Sequence, residues 1–415
     1  MWLRSKTVND LPAILGGTPI CEHERWPTWP QWDDAERAAL LATLDDGAWW
    51  SGDGDGRAQR FADSFGAYQG ATHALPFTNG THTLEAALVA CDIGDGDEVI
   101  VPGLTFVATA TSVLATNATP VIVDIDPDSL NIDIAAAEAA ITTRTRALVA
   151  VHVAGAACDL DALVALCERR GLHLIEDCAH AHGTFWRGRG VGSFGAFGSF
   201  SMQRSKLLTA GEGGVLISSD AALVERAWSY SNCGRVPGKH GYHHPTYGSN
   251  LRMTEWQGAV LEAQFERFPE QNQRRNASAI ALNAAIAEVP GLRPQARDPR
   301  MNTQGNYCYV FHYDSRVFAN LELHRFETAL AAEGIPLDAS YPSLNTLELF
   351  RTNNFAPRFR TPPRDYSSVE LPRAEHAAAS TVWIEHRVLL AQPERVLDIA
   401  RACERIRTHA AMISG

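Results

Sequence analysis

From position 71 onward, apolar residues fall into short continuous runs separated by stretches with helical spacing. The runs HALPF (73–77), EVIVP (98–102), PVIVDI (120–125), ALVAVHV (147–153) and HLIED (173–177) read as strands. The spacing between them predicts helices over 83–91, 109–115, 133–141 and 159–170. Continuous apolar strands alternating with amphipathic helices imply a mostly parallel sheet buried on both faces. Further apolar stretches at 196–202 and 214–217 complete an α/β unit with a large central sheet. Ahead of it, 33–46 and 57–68 have helical spacing, and an arm over 1–35 is rich in Trp and Pro (Trp26, Pro27, Trp29, Pro30, Trp32).

After Asn250 the pattern changes. A long helix is predicted over 253–268, continued by a polar, Arg- and Asn-rich stretch to about 286. A second αβ set follows: strand YCYVFHY (307–313), a helix over 323–333, a strand or extended edge VWIEHRVLL (382–390) and a terminal helix over 393–413. The boundary falls near 270, giving a large domain over 1–270 that includes the arm, and a smaller C-terminal α/β domain over 271–415.

Composition narrows the class of protein without identifying it. The 415 residues are 45% hydrophobic and 20% charged, as in an ordinary soluble globular chain. The net charge of −12 argues against nucleic acid or an anionic membrane surface as the main partner. The eight cysteines include no C-x-x-C pair and read as separate reduced thiols, neither a disulfide frame nor a zinc site. The N-terminus lacks the apolar core of a signal peptide, so a cytoplasmic location is expected.

Several stretches carry chemistry. Thr78-Asn79-Gly80-Thr81 follows a strand and opens a helix, which suits either an ordinary N-cap or an anion site of backbone N–H groups. Gly190, Gly192 and Gly195 match G-x-G-x-x-G but lack the βαβ context of a dinucleotide site. Asp53-Gly-Asp55-Gly lacks the later ligands of a calcium loop. Asp177 ends a buried strand where α/β proteins bind ligands, with His180 and His182 beside it in a spacing too loose to define a metal site. Such an Asp can hold a pyridine nitrogen protonated. Lys206 is bracketed by small residues and reads as a solvated lysine or as an amine held for Schiff-base chemistry.

Taken together these motifs resemble a known family. Thr78-Asn79-Gly80-Thr81, Pro102-Gly-Leu-Thr105-Phe106, Glu176-Asp177-Cys-Ala-His180, Ser201-Met-Gln203-Arg204-Ser-Lys206 with Gly211-Glu212-Gly213-Gly214, and Gly248-Ser-Asn250-Leu-Arg252 occur in this order. They are similar to the DegT/DnrJ/StrS sugar aminotransferases, a fold-type I branch that uses pyridoxal 5′-phosphate. Trp29-Pro-Gln-Trp32, Asn79-Gly-Thr-His82 and Trp383-Ile-Glu-His386 resemble a narrower set. That set holds glutamine:scyllo-inosose and 2-deoxy-scyllo-inosose aminotransferases and amino-hydroxybenzoate synthases.

The resemblance implies roles. Lys206 would hold the cofactor and move the proton, Asp177 would pair with the ring nitrogen, and His180 would contact the ring's phenolic oxygen. Phe106 would stack on the ring, Gly80, Thr81 and Ser201 would hold the phosphate, and Asn250 would reach it from the second subunit of a homodimer. Gln203, Arg204 and His386 stand as substrate residues, and no metal is expected. The cluster His240-Gly-Tyr-His243-His244 reads as a polar flap, and Arg252 as a carboxylate site or a loop tie. The implied activity moves an amino group from glutamine or glutamate to a keto-cyclitol or keto-sugar. A dehydratase of the amino-hydroxybenzoate-synthase type, a nucleotide-keto-sugar aminotransferase and a non-catalytic cofactor-binding subunit are the alternatives.

Overall fold

The computed structural model describes residues 11–21, 26–51, 55–239, 241–356, 359 and 364–414. Asp53 of the acidic loop, His240 of the histidine cluster and residues 1–10 of the N-terminal stretch lie outside them. Helices α1 (Asp34–Asp46) and α2 (Arg57–Tyr68) precede an alternating run. The run is β1 (His73–Phe77), α3 (Gly80–Ala90), β2 (Glu98–Pro102), α4 (Ala108–Ala115), β3 (Thr119–Val123), α5 (Ile134–Ala139), β4 (Thr145–Val151), α6 (Leu160–Arg170) and β5 (His173–Asp177). A small hairpin, β6 (Phe185–Trp186) and β7 (Arg189–Gly190), comes before β8 (Phe197–Ser201), β9 (Gly214–Ser218) and α7 (Ala221–Ser231). Then α8 (Glu255–Ala287) leads to β10 (Leu292–Pro294), β11 (Met301–Thr303), β12 (Cys308–Tyr313), α9 (Leu323–Ala332) and β13 (Leu337–Asp338). The chain closes with α10 (Glu348–Arg351), α11 (Pro372–Ser380), β14 (Thr381–Glu385), α12 (Pro393–Thr408) and α13 (Ala410–Ser414).

Seven strands form one sheet in the order β1-β9-β8-β5-β4-β2-β3. From β3 across to β8 every pair is parallel, and β9 alone runs antiparallel to both its neighbours. The register sets Val151 beside Asp177 and Asp177 beside Ser199. The carboxyl ends of β4, β5 and β8 therefore meet at one edge, the edge where open parallel sheets bind ligands. Helix α3 begins three residues earlier than its apolar spacing predicts, because the Asn79 side chain caps it by accepting from the His82 N–H at 2.9 Å.

The expected long helix and its polar continuation are one 33-residue helix, α8, which carries Pro269 inside it and crosses position 270 unbroken. Its first half buries Leu261 and Phe268 among residues that include Phe65 and Phe200. Its second half buries Ala279, Leu282 and Ile286 against a four-stranded antiparallel sheet, β10-β12-β14-β13. Part of the arm joins that second core: Cys21 and Trp26 are buried there, and the Trp26 ring N–H donates to the Gly334 carbonyl at 2.6 Å. Strand β14 stops at Glu385, short of the extended edge predicted to 390. Val388, Leu389 and Leu390 are all buried in succession, which a 3₁₀ turn permits and a one-faced strand does not. The terminal helix is interrupted at His409. All eight cysteines are free thiols, seven of them buried. Among the described residues no helix is long and apolar enough to cross a membrane.

The glycines that imitate a dinucleotide motif wrap a buried carboxylate. Glu176, fully buried on β5, accepts from the backbone N–H groups of Gly192 (2.7 Å), Phe194 (2.8 Å) and Gly195 (2.9 Å). The fourth donor is His152. Its Nδ1 accepts the Cys158 N–H at 3.0 Å, so its Nε2 carries the proton and faces Glu176 at 3.2 Å. A Cβ at Gly195 would lie 2.3 Å from the Leu174 carbonyl oxygen, and Gly192 has a φ of +89°. The loop is built to approach the strand, not a pyrophosphate. Among the described residues His152, Glu176 and Cys178 form the one trio close enough for a metal, but four donors already fill the Glu176 oxygens. Glu176→Gln should turn an amide N–H toward backbone donors and cost about 2–4 kcal/mol. Chemical denaturation would show this, and an unchanged unfolding midpoint would contradict it.

Candidate active site

A cavity of about 710 Å³ opens over the carboxyl edge of the sheet. Its wall includes Val151, Asp177 and Ser201 from the three strand ends, and Asn79, Gly80, Thr81 and His82 from the start of α3. Phe106, His180, Gln203, Ser205, Lys206, Glu212, Tyr307 and Tyr341 complete most of the rest.

Lys206 sits on the turn after β8 and is only 8% exposed. Its Nζ lies 4.1 Å from the centre of the Tyr307 ring, a cation–π seat in place of water. Burial lowers its pKa from 10.5 to about 8, against the opposing pull of the Asp177 charge. Asp177 is buried and moves the other way: loss of water raises its pKa, opposed by donors and by Lys206. Those donors are the Thr109 hydroxyl at 2.8 Å and the Ala179 N–H at 3.2 Å. In each group burial outweighs the attraction between them, so the amine is shifted down and the carboxyl up from their ordinary values.

His180 is buried and its pKa is pushed well below the usual histidine value by loss of water and by Lys206. Its Nδ1 accepts the Ala154 N–H at 3.3 Å, so the neutral ring carries its proton on Nε2, 2.9 Å from the Tyr341 hydroxyl. The ring lies parallel to Tyr307 with centroids 4.1 Å apart. Both ring nitrogens thus have protein partners. His182 does not join it: its ring lies between Phe65 and Phe200, and burial drops its pKa to about 3.

Gly80 and Ser201 touch at the start of α3, where a Cβ on Gly80 would come within 2.7 Å of the Ser201 Cβ. Phe106 leaves 56% of its surface exposed on the cavity wall. Gly80, Thr81, Phe106, Asp177, His180, Ser201, Gln203 and Lys206 thus share one cavity, although they span more than a hundred positions.

Two residues expected at the substrate, Arg204 and His386, do not line it. Arg204 is exposed and faces two neighbouring clefts on the outer side of its loop. His386 is buried behind the loop, where its Nε2 lies 3.1 Å from the Ser205 carbonyl oxygen it bonds, and Trp29 donates from its ring to the Arg204 carbonyl at 3.2 Å. Trp29 and His386 brace the lysine loop from outside, and neither Arg204 nor His386 lines the Lys206 cavity; both line a neighbouring cleft. Asn250 is exposed and bridges Asn232, away from the cavity of its own chain. In the histidine stretch, His243 is exposed and His244 bonds the Cys233 carbonyl at 2.8 Å. Arg252 reaches Asn232 at 3.4 Å and lies over Trp50, as a loop tie would.

Tyr307, Ser205 and Thr109 join the site without a sequence signal: Tyr307 fits the strand pattern of 307–313, and nothing local marks a residue about a hundred positions away as the floor under Lys206.

A central sheet of this order, with an amine and a buried carboxylate at its carboxyl edge, is the fold-type I arrangement of pyridoxal-phosphate-dependent transferases. The chain belongs to the DegT/DnrJ/EryC1/StrS aminotransferase family, which matches residues 30–403. It is 41% identical over 412 residues to the L-glutamine:2-deoxy-scyllo-inosose aminotransferase of Micromonospora echinospora, covering 95% of this chain and 97% of that one. It is 36% identical to the 3-amino-5-hydroxybenzoate synthase of Amycolatopsis mediterranei (strain S699), covering 89% and 94%. A crystal structure of 3-amino-5-hydroxybenzoic acid synthase superposes with a TM-score of 0.84 at 34% identity, covering 92% of this chain and 99% of that one.

The depressed amine is directly testable. Borohydride trapping of pyridoxal phosphate on the cofactor-free protein should reach half its maximum near pH 8. Asp177→Asn removes the charge that raises the amine and should move that midpoint lower. A midpoint near the ordinary lysine value of 10.5 would contradict the buried seat.

Proposed function

We propose that this aminotransferase binds pyridoxal 5′-phosphate at the sheet edge and moves an amino group from glutamine to a keto-cyclitol. The observation that carries the reading is the Lys206 amine with its pKa lowered to about 8, in one cavity with the buried Asp177 carboxylate. The residues present fit the cofactor. Phe106 offers an exposed ring face, and the first turn of α3 offers free N–H groups beside Gly80, where no Cβ intrudes.

Gly80, Thr81 and Ser201 would hold the phosphate, Phe106 would cover the ring, and Asp177 would keep the ring nitrogen protonated. Bound there, the cofactor supplies an electron sink for the carbon that loses its proton. Lys206 would hold the cofactor through its amine and, once the donor's amine has displaced it, would carry the proton from the donor's α-carbon to the cofactor's C4′ carbon. A near-neutral pKa suits both tasks. His180 backs the site through its bonds to Ala154 and Tyr341.

The choice of glutamine and a keto-cyclitol rests on relatives whose names give those substrates, one of them scyllo-inosose aminotransferase from Streptomyces griseus at 40% identity. The cavity supports it: Lys206 is the one Lys or Arg lining it among the described residues, which suits an uncharged ring better than a phosphorylated or nucleotide-linked one. The same reading makes the protein a homodimer, in which Asn250 serves the site of a second copy. Leu41, Leu44, Trp49 and Trp50 are all at least half exposed, an apolar surface that a second copy would cover.

The purified, cofactor-loaded protein should lose its visible absorbance on addition of glutamine and regain it on addition of a keto-cyclitol. Lys206→Ala should lower turnover by about 10³-fold or more. Absorbance that glutamine leaves untouched, or a Lys206→Ala variant with wild-type turnover, would overturn the proposal.

A further inference from the structure

We infer that Tyr307 and Ser205 form a hydrogen-bond relay that locks the Gln203 amide with its NH₂ turned into the cavity, so that Gln203 selects the incoming ketone by an acceptor oxygen. The inference rests on the aminotransferase reading above.

The direction of every bond in the relay is fixed by what each atom can do. The Ser205 backbone N–H lies 2.8 Å from one terminal atom of the Gln203 side chain. A backbone N–H can only donate, so that atom is the amide oxygen, Oε1. The Ser205 hydroxyl also lies 2.8 Å from Oε1. Of those two oxygens only the serine carries hydrogen, so Ser205 donates. Its hydroxyl lies 2.9 Å from the Tyr307 hydroxyl, and with its own hydrogen already committed it must accept. The chain therefore runs Tyr307 O–H to Ser205 Oγ–H to Gln203 Oε1.

Both donors fall on the same oxygen, and the Gln203 NH₂ has no partner among the described residues. Gln203 lines the cavity together with both relay members. Its two free hydrogens can meet only an acceptor, such as a keto or hydroxyl oxygen of a ring. Each link cooperatively strengthens the next.

Other contacts hold the relay still. The Tyr307 ring is stacked on His180 at 4.1 Å and lies under the Lys206 amine. The Ser205 carbonyl is held by the buried His386 at 3.1 Å. Tyr307 and Ser205 act through Gln203 and are positioning residues. Tyr307 also links the selecting amide to the floor beneath the reacting amine.

Steady-state kinetics on the cofactor-loaded dimer can separate this role from a structural one. Tyr307→Phe keeps the ring, its stack and its seat for Lys206 while removing the donor. It should raise KM for the ketone roughly 3- to 10-fold, the range of one hydrogen bond, and change KM for glutamine by less than twofold. Gln203→Glu keeps the oxygen that faces Ser205 but replaces the two donors with an acceptor. It should raise the ketone KM at least as much as Tyr307→Phe does. On a series of deoxy-ketones, one analogue lacking the contacted hydroxyl should show no difference between Gln203→Glu and wild type.

Equal ketone KM in Tyr307→Phe and wild type would overturn the relay, and so would a matching rise in KM for glutamine. If the wild type reacts with glutamine but accepts only nucleotide-linked keto-sugars, the keto-cyclitol reading fails by itself. The same comparison, run on the accepted ketone, still decides the relay. A wild type that accepts no ketone overturns both.

Discussion

The site depends on keeping an amine and a carboxylate out of water in one cavity without letting their attraction decide the protonation state. A surface lysine at neutral pH is a cation and a poor nucleophile. Lys206 gives up its proton far more readily, its pKa lowered to about 8, because its carbon chain and amine are enclosed by the sheet edge and the Tyr307 ring, and the Asp177 charge recovers only part of what burial removes. The fold supplies the enclosure. Three parallel strands end at the same level, and each delivers a short side chain or a carboxylate to the floor of the cavity.

Holding a nucleophile this closely requires that its own loop not move. The turn that carries Lys206 is gripped from outside by two rings, Trp29 on the Arg204 carbonyl and His386 on the Ser205 carbonyl. Trp29 comes from the N-terminal arm and His386 from the end of β14, so the two extremes of the chain converge on one turn. Helix α8 shares side chains with both cores and gives these distant parts a common support. Beneath the sheet, Glu176 gathers three backbone N–H groups and a histidine, and so fixes the strand whose next residue is Asp177.

Much of this was legible from the chain. Apolar strands buried on both faces announce themselves as unbroken runs, which is why β2, β4 and β5 were placed closely. The motif residues around Lys206 and Asp177 lie on loops that those strands position, and they converge in the structure. What the pattern hid has physical reasons. The start of α3 depends on a side-chain cap that hydrophobic spacing does not register. The glycines near 192 looked like a phosphate loop because close backbone approach is the same requirement whether the neighbour is a pyrophosphate or a carboxylate. Arg204 lies inside the motif but faces its outer side, since a tight turn sends successive side chains in opposite directions, and His386 reaches that outer side from the far end of the chain. Tyr307 enters from a different sheet, and no local spacing carries that information.

The central claim is the transfer of the α-amino nitrogen of glutamine to a carbocyclic ketone. Glutamine labelled with ¹⁵N at the α-amine, incubated with the protein and a keto-cyclitol, tests it by ¹⁵N NMR of the product. The account predicts an aminocyclitol carrying the label, and no label in the product when only the side-chain amide of glutamine is enriched. An unlabelled product, or loss of water from the ring without gain of nitrogen, would contradict it.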